Sequence, residues 1–575
     1  MFFKKICVVN VVSLILVTSL CYGICLFNDF VGDDEVLIVN NSFYNSWKNL
    51  PYLFSKTYIT DGNSLFFIPT HKQYFHSGSV AYRPVLSATF FLDHWLWGLH
   101  PFGYHLTNLL LHIVNTILVY FLFCYIIQNV SIAFFSALLF GLHPVHVEAV
   151  SNIGYRADVL SCFFMLCSFL LFIKFYRVNS AIRRYFLYIC SIVFYLLGLF
   201  SKEAVIVLPM LIFLYDIYLQ PLKIDKMISH LIKRYLGYII VTIFYLYIYL
   251  KVFPNSTLGK ISLIGGNIFI HITTIFEIFK EYLLALAIPL YVKILPPLYA
   301  PIPQTLITAQ FLVSVIVFII FIFLIYKIYW HDKRIALFLS FFLISLIPVS
   351  NIIPIVTPMA HRFLYIPSIW FIGAIGCFLE HLTTRYRQLT DVIKIGIIVS
   401  CIFVSFHIIK EWKTDISVGL SLIQYYPDNQ MGYSILGTEY FRQGNYDMAL
   451  PVLKKSVSLG SKDPKIFYML GLCDKQNAEF FLHYAISLKP DYVYPYIALG
   501  RLYFFQHRYK DAILYLKKSI SIHPTYSGIG YLIKTYLNKG DYSSAVYTLH
   551  MAEKTYLDRR YIVSLKKMID DYKRN

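Results

Sequence analysis

Up to about residue 410 the chain reads as long apolar runs separated by short polar loops. Eleven runs reach spanning length, at about 6–27, 103–127, 131–148, 157–176, 185–201, 203–220, 235–253, 306–329, 335–351, 363–380 and 392–410, and each predicts a membrane-crossing helix. The first follows Lys4 and Lys5 and lacks a small-residue cleavage pattern, so it reads as a span rather than a removed leader. A further apolar segment, 267–290, carries Glu277, Lys280 and Glu281 at helical spacing, which predicts an interfacial or re-entrant helix.

Past residue 411 the pattern becomes that of a soluble domain, and a repeat emerges. "YSILGTEYFRQGNYDMAL" (433–450), "YIALGRLYFFQHRYKDAI" (496–513) and "YLIKTYLNKGDYSSAV" (531–546) share a helix, a turn and a second helix. Ala449 and Ala512 each stand 12 residues after Gly437 and Gly500, and Pro490 and Pro524 are 34 apart. That period is the tetratricopeptide repeat, in which small residues let paired helices approach closely. About four repeats are expected, the second, around "FYMLGLCDKQNAEFFLHYAISLKP", shortened between its helices.

Composition agrees with the pattern: 58% of residues are hydrophobic and only 14% are charged, which excludes an ordinary soluble globule. The net charge of +19 is spread over short loops and the C-terminal tail, so it reads as membrane topology rather than nucleic-acid binding. The ten cysteines lie almost entirely in apolar runs without a metal-ligand spacing.

Loop charge then orients the spans. The loops 177–184, 221–234, 327–334 and 382–394 hold thirteen Lys and Arg against three Asp, which assigns them to the cytoplasm. The segments 28–102 and 254–305 and everything beyond 411 follow on the outer side. Five polar clusters consequently fall on one outer face: "FNDFVGDDEVLIVNN", "YRP", "HPVHVEAVSNIGYRADVL", "SKEAV" and "SNIIPIVTPMAHRFLYIPS". They alternate cations (Arg83, Arg156, Lys202, Arg362) with acids (Asp33, Asp34, Glu148, Asp158, Glu203). One such cluster is an ordinary helix cap or interfacial ion pair. Five together offer what phosphate binding and hydroxyl deprotonation need, fixed cations beside a carboxylate. His143 and His146 lack a completing acid or His set, so they are hydrogen-bonding or substrate-contact candidates rather than metal ligands.

The strings "FVGDDEVLIVNN", "YRPVLSATFFLDHWLWGLHPFGYHLTNLLLHIVN", "LLFGLHPVHVEAVSNIGYRADVL", "SKEAVIVLPMLIFLYD" and "AHRFLYIPSIWF", in this order and followed by the repeats, resemble the transmembrane and tetratricopeptide-repeat-containing O-mannosyltransferases and their bacterial relatives. The resemblance covers nearly the whole chain and implies an all-α, GT-C-like polytopic membrane protein of about eleven transmembrane helices with a C-terminal tetratricopeptide-repeat α-solenoid. The domains are then 1–410 for the membrane glycosyltransferase (with external loops 28–102 and 254–305), 411–426 as linker and 427–575 for the repeats.

It further implies transfer of a sugar, mannose, from a polyprenyl-phosphate carrier to a hydroxyl of an extracytoplasmic protein, with no cofactor beyond the lipid-linked sugar as co-substrate. Asp33 and Asp34 match the catalytic acid of the first external loop. Arg83, His143, His146, Glu148, Arg156, Asp158, Lys202, Glu203 and Arg362 are the expected substrate-binding set, with Arg156, Lys202 and Arg362 on the carrier phosphate. His361 departs from the family's usual Glu-Arg pair, and Tyr155 precedes Arg-Ala-Asp. The expected partners are the lipid-linked sugar, membrane lipids and a protein acceptor held by the repeats, whose short tether would keep it near the membrane site. The location is a bacterial inner membrane facing the periplasm, or an endoplasmic-reticulum membrane facing the lumen. A polysaccharide ligase using the same donor class, or a non-catalytic scaffold, is the alternative.

Overall fold

The computed structural model describes residues 2–54, 82–219, 227–252, 263–296, 309–355, 357–553 and 559–574. Parts of both expected external loops, and part of the 221–234 loop, lie outside the described residues. The described residues are helical and divide into two compact units, one ending at Ser417 and the other beginning at Val418.

In the first unit every expected spanning run contains a helix. These are α1 (Phe2–Tyr22), α3 (Pro101–Ile126), α4 (Val130–Leu142), α6 (Arg156–Arg177), α7 (Ala181–Leu199), α8 (Leu208–Leu219), α9 (Met227–Val252), α11 (Ala309–Tyr329), α12 (Lys333–Leu346), α13 (Tyr365–Arg385) and α14 (Arg387–Glu411). Between them lie α2 (Pro84–Trp97), the short α5 (Val147–Ser151) and α10 (Ile268–Ala287), the last within the segment expected to be interfacial or re-entrant. Apolar runs of this kind satisfy their backbone internally, which in hydrocarbon leaves the helix as the open-ended solution. Polar residues supply the starts: Asn129 Oδ1 accepts from the amides of Ser131 and Ile132, Asp332 Oδ1 accepts from that of Arg334, and Pro84 and Pro101 open α2 and α3.

Seven described helices are long and apolar enough to cross a membrane, or eight if the bent α4–α5 pair is one span. This is a multi-pass arrangement. Small polar groups tie the helices together: the Ser168 and Ser191 hydroxyls lie 3.1 Å apart between α6 and α7, and Ser191 reaches the Tyr238 hydroxyl of α9 at 2.6 Å. The charged loop ends gather at one end of the bundle. There Arg334 pairs with Asp332 and Glu380, Glu380 accepts from Asn129, and the Asp332 carboxyl is held at about 2; burial would raise it, but the bonds from Arg334 and His381 prevail.

The second unit begins within α15 (Asp415–Tyr425), a helix that occupies most of the stretch expected as a linker. Its four helix pairs are α16 (Gln430–Arg442) with α17 (Tyr446–Ser458), α18 (Pro464–Cys473) with α19 (Ala478–Leu488), α20 (Val493–Phe505) with α21 (Tyr509–Ile522), and α22 (Tyr526–Asn538) with α23 (Tyr542–Glu553). α24 (Arg559–Arg574) follows. The glycines act as read: a Cβ on Gly437 would come within 2.6 Å of Leu453, and one on Gly500 within 2.4 Å of Leu516. The second pair is shortened in the helices themselves, 10 and 11 residues against 13 and 14 in the third pair.

Candidate active site

The polar clusters lie at the bundle end opposite Asp332 and Arg334, where the turn after α1, the start of α2, the α4–α5–α6 passage, the turn after α7 and the turn before α13 pack together. The Val85 amide donates to the Phe200 carbonyl at 3.3 Å, and the Asp29 amide to that of Lys413 at 2.9 Å, so segments remote in sequence are stitched by backbone.

The Asp33-Asp34 pair divides its work. Gly32, at φ +59°, makes a turn that few other residues adopt without strain, and Asp34 closes it. One Asp34 oxygen accepts the Val31 amide at 3.1 Å and the other accepts the Gly154 amide at 2.5 Å. Asn152 adds a bond to the Val31 carbonyl at 3.3 Å. Asp34 is therefore wholly buried and fastens the first loop to the α5–α6 turn. Burial pushes its carboxyl up to about 7, against the two amides, which lower it. Asp33 is only partly buried, and it is the member of the pair that meets solvent.

Arg156 sits on no such surface. Its guanidinium donates to Asn108 Oδ1 at 2.6 Å, Thr89 Oγ1 at 3.0 Å and the Tyr104 carbonyl at 2.9 Å, and pairs with Asp93 at 2.6 Å while lying over the Phe90 ring. Asp93 also accepts from the Thr107 hydroxyl at 2.8 Å. Arg156 thus joins α2, α3 and α6 with no exposed surface of its own.

The remaining candidates form a continuous row. Glu148 takes both the backbone amide of Arg362, at 2.9 Å, and its guanidinium. The guanidinium lies 3.9 Å from the centroid of the Tyr155 ring and 5.0 Å from that of Phe363. Lys202 approaches the same Phe363 ring at 5.1 Å and pairs with Asp158 at 2.5 Å. Arg83 then pairs with Glu203 at 2.8 Å through two nitrogens. Burial holds the Lys202 ammonium below its ordinary value despite Asp158. For Glu203, partial loss of water works upward but Arg83 and Lys202 outweigh it and hold the carboxyl at about 2. Asp34 joins this row through Gly154, the residue before Tyr155.

The histidines belong to the packing behind it. His143 donates from Nε2 to the Leu286 carbonyl and accepts the Val145 amide on Nδ1; His146 donates from Nδ1 to the Phe140 carbonyl and sets Nε2 2.8 Å from the Ser368 hydroxyl. Among the described residues no group of three His, Cys, Asp or Glu is placed to hold a metal.

The tetratricopeptide repeat signature matches residues 493–526, the third repeat and its exit. Across the chain, protein O-mannosyl-transferase F38B6.6 of Caenorhabditis elegans is 28% identical over 440 residues, covering 74% of this chain and 59% of the relative. Human protein O-mannosyl-transferase TMTC1 is 37% identical over 155 residues (27% and 16%), and human protein O-mannosyl-transferase TMTC2 is 42% identical over 100 residues (17% and 12%). The chain is similar to these O-mannosyl-transferases. It spans about three-fifths of the nematode relative and less of the human ones.

Three side chains that hold these cations are absent from the expected set. Asp93, the counter-ion of Arg156, was signalled by a lone acid in the apolar "FFLDHWLW" run. Tyr155 and Phe363 carried no such signal, because an aromatic residue next to a cation is common and their stacking is made across the fold.

Proposed function

We propose that the chain transfers a sugar, mannose by analogy with the names of its relatives, from a polyprenyl-phosphate carrier to a hydroxyl of an extracytoplasmic protein. The observation that carries this reading is the row Asp34–Gly154–Tyr155–Arg362–Phe363–Lys202, which puts carboxylates and cations at one helix-end face of a homologue of the O-mannosyl-transferases.

In the proposed reaction Asp33 accepts the proton of the acceptor hydroxyl as its oxygen attacks the sugar C1. The bond from C1 to the phosphate oxygen breaks on the opposite face, and the polyprenyl phosphate leaves with the electron pair, so the anomeric configuration inverts. Arg362 and Lys202 offset the charge that develops on the leaving phosphate. Asp34 and Tyr155 hold the first loop and the cationic row in register. Arg156 acts through the fold and touches no substrate. In this scheme the row faces the extracytoplasmic side, and the repeat unit holds the acceptor polypeptide.

The test is transfer from polyprenyl-phosphate mannose to a protein acceptor by the purified chain. Transfer that Asp33→Asn abolishes without altering the folded state supports the assignment; undiminished transfer by that variant removes Asp33 from the chemistry.

A further inference from the structure

The first and second helices of the repeat pairs carry charge differently. The second helices each contain an acid, Asp447 in α17, Glu479 in α19, Asp511 in α21 and Glu553 in α23. The first helices α18, α20 and α22 contain none, yet they carry Lys465, Arg501 and Lys534. The one acid in a first helix, Glu439 of α16, is paired with Arg442 at 3.3 Å.

Two of those cations converge. Arg501 lies 5.1 Å and Lys534 5.4 Å from the centroid of the same Tyr531 ring, which Phe504 and Phe505 flank at 6.0 and 6.4 Å. Both cations are exposed, and neither has an ion-pair partner among the described residues. Two cations elsewhere in the unit are neutralised: Arg508 pairs with Asp511 at 2.9 Å and Glu479 at 3.5 Å, and Lys454 with Asp474 at 2.7 Å. Two like charges held beside one ring repel each other, so the arrangement gains most from an anion laid across it.

We infer that this face of α20 and α22 binds an extended acidic polypeptide, with its carboxylates on Arg501 and Lys534 and an apolar or aromatic side chain against Tyr531 and Phe505. Successive first helices pack on one another more closely than successive second helices do, which puts the first row on the inner side of the stack's curve. A chain can follow that inner side, whereas a flat bilayer surface meets only its rims. The inference rests on the reading that the repeats hold a polypeptide, not on the transfer chemistry.

The experiment uses the full chain in phosphatidylcholine nanodiscs and fluorescent peptides of alternating Ser-Glu, Ser-Gln and Ser-Lys. The Ser-Glu peptide should bind about tenfold more tightly than Ser-Gln, and added salt should erase the difference. Arg501→Gln/Lys534→Gln should lose that tenfold advantage, while Lys510→Gln, an exposed cation on α21, should not. The reversal Arg501→Glu/Lys534→Glu should move the preference to Ser-Lys. Equal binding of Ser-Glu and Ser-Gln overturns the acidic preference alone, and absence of binding by every peptide overturns the polypeptide reading beneath it. Equal weakening by Lys510→Gln, or a dependence on Arg501 and Lys534 seen only with phosphatidylserine vesicles, also overturns the inference, the latter in favour of a lipid headgroup.

Discussion

The junction of α2, α3 and α6 and the rim between α5 and the His361–Leu364 turn each enclose an arginine against a carboxylate, but the two sites differ in what surrounds it. Arg156 spends its guanidinium on Asp93, Asn108, Thr89 and a main-chain carbonyl, and has no exposed surface. Arg362 is bound by Glu148 and lies over Tyr155, in a row that continues through Phe363 to Lys202. The same residue type, in clusters that look alike in sequence, serves as a rivet between three helices in one place and as a member of a largely buried row of charges in the other. A guanidinium so placed, with no exposed surface, is out of a ligand's reach.

The comparison breaks most visibly at Arg156. Its replacement by Leu leaves Asp93 buried without a counter-ion, and such losses cost about 3–5 kcal/mol. The expected outcome is a large fall in thermal midpoint, or no monodisperse protein, read by differential scanning fluorimetry in detergent. Arg156→Lys should do little better, because an ammonium cannot reproduce a fork of donors. A stable Arg156→Lys protein that has lost only transfer would erase the distinction drawn between the two arginines.

A smaller effect on folding and a large one on rate is expected at the first loop. Asp33→Asn should fold normally and lower turnover by about a hundredfold or more if Asp33 is the general base. Next in size is Arg362→Lys, which keeps the charge opposite Glu148 but gives up the guanidinium's close approach to the Tyr155 ring. It should remain folded and lose about tenfold in kcat/KM for the lipid-linked donor, the equivalent of about one charge-assisted contact. An unchanged rate would make Arg362 a second rivet.

The smallest effect belongs to the outermost pair. The Glu203 side chain keeps 47% of its surface exposed, so Glu203→Gln should cost no more than about 1 kcal/mol at neutral pH. Its carboxyl is held at about 2 against an ordinary 4.5, so its contribution to stability is present above 4.5 and fades as pH falls toward 2. Thermal midpoints of wild type and variant should accordingly converge in acid. A gap that widens there would contradict the Arg83–Glu203 assignment.

Much of the architecture was legible because an apolar run long enough to span a bilayer has few options: each of the eleven runs holds a helix, from α1 to α14. The repeats were legible for a related reason. Gly437, Gly500, Ala449 and Ala512 recur at a fixed spacing because paired helices touch where only small side chains fit. The site was legible only as a set of candidates. Asp34 and Asp33 are adjacent and chemically identical, yet one is buried under two amides and the other meets solvent. Nothing in the dipeptide foretells which.

By itself the sequence determined the helices, the repeat class and the gathering of charged residues at helix ends, since these follow from hydropathy, period and local composition. Tertiary structure alone decided which charge meets which: that Arg156 is spent on Asp93 and its neighbours, that Phe363 lies between Lys202 and Arg362, and that Arg501 and Lys534 share Tyr531. Pairings of this kind depend on distances of a few ångströms between residues far apart in the chain, and electrostatic energy depends on that separation and on burial, neither of which a linear order of residues contains.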